Sequence, residues 1–169
     1  LDSLFTVSSV LEGGSSPDIS GLIGQYAHGN EPSHHIIYMY SMTGQPWKAA
    51  DKVREVLETM YHAEPDGLAG NEDVGQMSAW YIMSALGFYE IEPASARYWF
   101  GSPIFDEAEI EVAGGTFTIS VVNNSDTNRY IQNITLNGQP LNRGYIEHKE
   151  IAAGGELVIE MGSEQKLWY

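Results

Sequence analysis

Two periodicities divide the chain. Up to about residue 95, apolar residues recur at helical spacing; beyond it they alternate. PWKAADKVREVLETMYH (46–62) sets Ala49, Val53, Val56, Leu57 and Met60 on one side of a helix. It leaves Lys48, Asp51, Lys52, Arg54, Glu55 and Glu58 for the helix surface. Pro46 suits the first turn of that helix, and Pro65 forbids its continuation. HHIIYMYSM (34–42) predicts a shorter helix ahead of it, opened by Pro32-Ser33 and ended by Gly44. A third helix is expected over MSAWYIMSALGF (77–88), with Gly87 as its stop. Its residues are apolar almost all round, which predicts burial on most sides. Asp73 and Gln76 have the spacing of a capping box, so an Asp73 oxygen is expected to accept from the free N–H groups at its start.

After Pro93 the period becomes two. EIEV (109–112) alternates, Gly114-Gly115 turns, and TFTISVV puts Phe117, Ile119 and Val121 on one face. YIQNITL leads into Asn137-Gly138, a strong hairpin signal. Gly154-Gly155 turns again, and ELVIEM places Leu157, Ile159 and Met161 together. The pattern predicts an α+β protein: a helical part over 1–95, then antiparallel strands over 96–169 forming a small sandwich-like tail. No internal repeat and no low-complexity tract interrupts it.

Composition narrows the chemistry. With 169 residues and 43% hydrophobic content, a sizeable core is possible. A net charge of −15 argues against nucleic acid, whose phosphates would be repelled. The absence of cysteine removes disulfides and thiolate metal sites. No apolar run reaches the ~20 residues of a membrane helix. The opening LDSLFTVSS has neither a basic region nor a long apolar stretch, so no signal peptide is read there.

Two acidic, glycine-flanked stretches carry the candidate chemistry. GNEDVGQ (70–76) places Glu72 and Asp73 before an apolar helix, where the macrodipole and capping favour an acid. A carboxylate at the rim of a buried helix also suits a general base or a metal ligand. HGNEPSHH (28–35) groups His28, Asn30, Glu31, His34 and His35. Adjacent His34 and His35 point to different faces of a helix, and the spacing is not HExxH, so imidazole ligation of a metal is disfavoured. Oxygen ligation is better served: Asn30 and Glu31 could hold a hard cation such as Ca²⁺, completed by Asp73 or Glu72. Capping by Asn30 or Ser33, with histidines on the surface, is the plainer alternative for this stretch. Asn123-Asn124-Ser125 and Asn133-Ile134-Thr135 match glycosylation sequons, which matter only in a eukaryotic secretory pathway.

GLIGQYAHGNEPSHHIIYMY and GLAGNEDVGQMSAWYIMSALGFYEIEPASARYWFGSPIFDEAEI resemble the C-terminal part of the calcium-dependent, inverting exo-α-mannosidases of glycoside hydrolase family 92. The likeness is firmest over 20–110. It implies the last helices of an (α/α)6 barrel followed by a strand-rich tail, an incomplete piece of a larger two-domain enzyme. It also implies Ca²⁺ as cofactor and mannose-containing glycans as substrates. The physical partner is the remainder of the parent enzyme, an N-terminal β-sandwich with the upstream barrel helices. A secreted, periplasmic or cell-surface location follows from the same likeness, and no nucleic acid or membrane span is implied. By resemblance Asp73 is the general base, and Glu31, Asn30 and Asp73 belong to the Ca²⁺ shell. Glu72 and His34 fall where substrate is bound, with Gln76 nearby. The family's general acid lies upstream, and Glu12, which precedes HGNEP here, does not sit in the matching context. The isolated chain is therefore expected to be nearly inactive. A non-catalytic carbohydrate-binding module and a purely structural piece are the alternative readings.

Overall fold

A computed structural model describes residues 1–10, 13 and 19–169; Glu12 lies outside them. The architecture is α+β. Helix α1 (Asp2–Thr6) and a two-stranded hairpin of β1 (Leu22–Ile23) and β2 (Tyr26–Ala27) open the chain. A 3-10 turn (Glu31–Ser33) leads to α2 (Met39–Met42), α3 (Pro46–Thr59) and α4 (Gln76–Leu86). Strands β3 (Phe88–Glu90), β4 (Arg97–Phe100), β5 (Glu107–Val112), β6 (Gly115–Val122), β7 (Tyr130–Leu136), β8 (Gln139–Pro140) and β9 (Tyr145–Glu147) follow. Helix α5 (His148–Ala152) and β10 (Gly155–Gly162) complete the order.

The helix expected over 34–42 is mostly not α-helical. Backbone N–H groups there bond three residues back, as Tyr38 does to His35, and α-helix begins only at Met39. Tyr38, Ile37 and His34 are all buried in that stretch, so tertiary packing overrides the local pattern.

Strand topology departs from the expected antiparallel set. The five-stranded sheet runs β5-β6-β10-β7-β8, and β10 pairs with β6 in parallel, Leu157 opposite Ile119. Three strands and a helix separate β6 from β10, enough chain to bring β10 back in the same direction. The Asn137-Gly138 hairpin forms as predicted, with Leu136 opposite Gln139 and both turn residues at positive φ. Phe117, Ile119, Leu157, Ile159 and Met161 are buried together, as their spacing requires.

A second sheet, β3-β4-β9, straddles the composition change at residue 95 and serves as a wall between two cores. Phe88 lies opposite Phe100, and Tyr98 opposite Ile146. These four face the sandwich core with Phe117, Ile134 and Leu157. On the other face Tyr89 lies opposite Trp99, and both pack on the helical core of Tyr26, Tyr38, Val53 and Trp80. Alternation along one short strand therefore serves both halves.

Arg54 corrects the surface assigned to α3. It is 4% exposed. Its Nε donates to Ser102 Oγ at 2.9 Å, and its Nη2 donates to the Pro103 carbonyl and to Asn124 Oδ1. Burial lowers its pKa, opposed by the charges of Glu58, Asp126 and Asp106. One guanidinium thus ties the long helix to the strands. Asn123 and Asn133, the two sequon asparagines, are exposed.

Candidate active site

The two acidic loops meet backbone to backbone. A Cβ placed on Gly70 would clash with the Gly29 carbonyl oxygen and lie 2.8 Å from its Cα. A Cβ on Gly29 would lie 2.8 Å from the Ala69 carbonyl. Only glycine at both positions allows this approach, and it sets Asn30 beside the segment carrying Asn71, Glu72 and Asp73.

Beneath this junction is a buried polar network. Tyr61 Oη donates to the Met77 carbonyl at 3.0 Å, so it must accept from His28 Nε2 at 2.7 Å. His28 Nδ1 then accepts from Tyr26 Oη at 2.8 Å, which makes His28 neutral and protonated on Nε2. His34 donates from Nε2 to the His28 carbonyl at 3.0 Å and accepts at Nδ1 from Gln76 Nε2 at 3.2 Å. Gln76 Nε2 also donates to Tyr89 Oη at 2.8 Å, and Trp80 Nε1 donates to the His34 carbonyl at 3.1 Å. The two imidazoles stack with centroids 4.7 Å apart. His28 and His34 are therefore buried structural groups, not surface histidines.

Burial pushes the His28 pKa down to about 3, helped by the neighbouring His34, and burial lowers His34 as well. Below an unfolded-state pKa near 6.5, the unfolded chain takes up protons that the folded one refuses. The associated stability is complete above pH 6.5 and is lost as pH falls toward 3. At about 1.4 kcal/mol per unit, His28 alone removes about 2 kcal/mol between pH 7 and pH 5. Relief of repulsion in a chain of net charge −15 acts the other way. Urea unfolding is expected to show lower stability at pH 5 than at pH 7; equal or higher stability at pH 5 would contradict this assignment.

The 3-10 turn and the start of α4 flank a cleft of about 430 Å³, lined by Glu31, His34, His35, Gln76, Tyr89 and Ile91 among others. Glu31 is exposed and Asn30 half-buried. His34 lines the cleft, but both its ring nitrogens are engaged by protein groups, so it shapes the floor rather than presenting a free polar atom. Glu72 is exposed and caps the helix: its Oε1 accepts from Ser78 N at 3.0 Å and its Oε2 from Ser78 Oγ at 2.8 Å. The predicted Asp73–Gln76 capping box does not form in that register. The N-cap is Gly75, and the Gln76 amide turns to His34 and Tyr89. Nor is α4 buried on most sides. Met77, Trp80, Ser84 and Ala85 are buried, while Ser78, Ala79 and Ile82 are exposed.

Asp73 is exposed, one turn ahead of Gln76. Asp73, Val74 and Gly75 all have positive φ, at 49°, 59° and 92°. Left-handed conformation costs about 1–2 kcal/mol for each non-glycine residue. Val74, β-branched, is a genuine outlier there.

The donor chemistry of Glu31, Asn30 and Asp73 suits a hard cation, which prefers carboxylate and carbonyl oxygens. Their number does not fill a calcium shell of about six to eight oxygens. Among the described residues, no group of three or more His, Cys, Asp or Glu side chains is placed to hold a metal ion.

A family model for the glycosyl hydrolase family 92 catalytic domain matches residues 1–163. The chain belongs to this family. Two solved family 92 α-mannosidases from Bacteroides thetaiotaomicron superpose on it. BT3965, in complex with mannoimidazole, does so with a TM-score of 0.90 at 36% identity, over 96% of this chain and 22% of its own. The inverting mannosidase BT2199 gives 0.79 at 38% identity, over 96% and 23%. An uncharacterized secreted glycosidase of Arthroderma benhamiae is 31% identical over 144 residues, 83% of this chain and 19% of that protein. The chain thus spans about a fifth of the length of the relatives it matches. The buried Arg54 and the His28–Tyr61 pairing carried no local signal: their partners lie 48 and 33 residues away.

Proposed function

We propose that this chain is the C-terminal part of an inverting exo-α-mannosidase acting on terminal α-linked mannose of glycans, exported from the cell. The observation that carries the reading is the Gly29–Gly70 junction. It presses the backbone of the loop leading to Glu31 against that of the loop leading to Asp73, in a chain matched over residues 1–163 by a glycosidase catalytic domain. In the parent enzyme these helices would complete an (α/α)6 barrel packed on an N-terminal β-sandwich.

Asp73 is the general base. It takes a proton from a water that attacks the anomeric carbon from the face opposite the departing oxygen. An acid outside this chain protonates that oxygen, and inversion requires the two carboxyls to stand ~6.5–9.5 Å apart, leaving room for the water. Glu31, Asn30 and Asp73 would be this chain's contribution to a calcium shell whose remaining ligands come from elsewhere in the parent enzyme. A bound ion would supply contacts to sugar hydroxyls that favour a distorted ring.

Without the acid the isolated chain loses ~10²–10⁴-fold from that term alone. Hydrolysis of α-mannobiose with added Ca²⁺, followed by NMR, tests the proposal. The full-length protein is expected to release β-mannose first and to lose activity in EDTA, and the isolated chain to show no turnover. Release of α-mannose first, or robust turnover by the isolated chain, would overturn it.

A further inference from the structure

The turn at 73–75 spends conformational energy where the fold offers cheaper choices. It is held between two anchors. On one side Gly70 is pressed against the Gly29 backbone. On the other, Glu72 grips Ser78 with both oxygens and Gln76 binds His34 and Tyr89. Between the anchors the backbone turns left-handed, with the Gln76 N–H donating to the Asp73 carbonyl at 3.2 Å.

Glycine or asparagine at position 74 would relieve that turn. Val74 instead sits at φ 59° with its side chain wholly in solvent, 108% exposed, so packing within this chain gives nothing back. Its effect on the backbone remains. The Cβ of valine closes most of the φ/ψ space that glycine can visit, and Gly75 follows immediately. Glycine at 74 would create a two-glycine hinge directly after Asp73, whereas valine leaves Asp73 one fixed direction.

We infer that Val74 is a positioning residue, whose left-handed backbone, with less freedom than glycine would have, sets the direction in which the neighbouring Asp73 is presented for catalysis. This rests on the general-base role proposed for Asp73. Strained residues that surrounding structure over-determines are found at such functional positions.

The test uses the full-length protein and three forms: wild type, Val74→Gly and Val74→Asn. Val74→Gly is expected to lower kcat about 10–100-fold, since a misplacement of about 1 Å costs that order of rate. KM should stay within about twofold, and Tm should be unchanged or higher because strain is released. Val74→Asn, which tolerates the left-handed region without freeing it, should keep kcat within about threefold of wild type. An unchanged kcat in Val74→Gly overturns the inference. So does a raised KM at constant kcat, which would mean that the side chain touches the sugar, and so does a fall in both variants that tracks lost Tm. A wild type that releases no mannose overturns the proposed function itself, so the two failures are told apart.

Discussion

Replacing Arg54 with methionine is expected to destabilise the fold by about 3 kcal/mol or more, a large part of the ~5–15 kcal/mol that holds a typical domain. Two effects compete. Removing a buried guanidinium removes its desolvation cost, and exchanging buried charges for apolar groups is sometimes neutral. Here the partners stay behind. Ser102 Oγ, the Pro103 carbonyl and Asn124 Oδ1 all bond to Arg54. Methionine satisfies none of them. Ser102 Oγ keeps its bond to the Arg129 carbonyl, but the Pro103 carbonyl and Asn124 Oδ1 lose the guanidinium, and each buried polar group left unpaired costs about 1–3 kcal/mol. The leftover acceptors outweigh the relief. Arg54→Lys keeps the charge but lacks the planar fork that reaches three acceptors, so it falls between wild type and Arg54→Met. Urea unfolding with a comparison of m-values checks this. An Arg54→Met variant within 1 kcal/mol of wild type would show that the tie between α3 and the strands is dispensable.

The helical position of Arg54 misled the reading of its environment. On a wheel of residues 46–62 it falls at the edge of what looks like a wet face, with Glu58 and Asp51 on one side and Ala50 and Leu57 on the other. That face is covered by the segment Ser102–Pro103 and by Asn124, which approach from the strand-rich half. Period and amphipathicity report that a helix exists; they do not report which distant loop lies across it. The parallel β6–β10 pair was hidden for a related reason. Both strands show the expected alternation, Ile119 with Val121 and Leu157 with Ile159, but strand order depends on the whole path between them.

Features set by a few adjacent residues were legible. The Asn137-Gly138 hairpin, the Gly87 stop and the start of α3 at Pro46 need only local backbone preference. The candidate site was legible in its glycines and acids. HGNE and AGNED read as two loops, and the structure joins them at Gly29 and Gly70. The roles within each loop were harder to read. Glu72 and Gln76 look interchangeable with Asp73 as polar residues near a helix start. Yet Glu72 is committed to Ser78, and Gln76 to His34 and Tyr89. Those bonds reach up to 42 residues along the chain, beyond any local pattern.

This division of labour makes Asp73 the residue on which the account turns. It is exposed, and it is the group proposed to activate the water, so its loss is expected to fall on chemistry more than on folding. The decisive measurement is the kcat of the full-length protein carrying Asp73→Asn, on α-mannobiose with Ca²⁺, beside its melting temperature. The account predicts a fall of about 10²–10⁴-fold in kcat with Tm essentially unchanged. Activity within about threefold of wild type in a fully folded Asp73→Asn enzyme would contradict it.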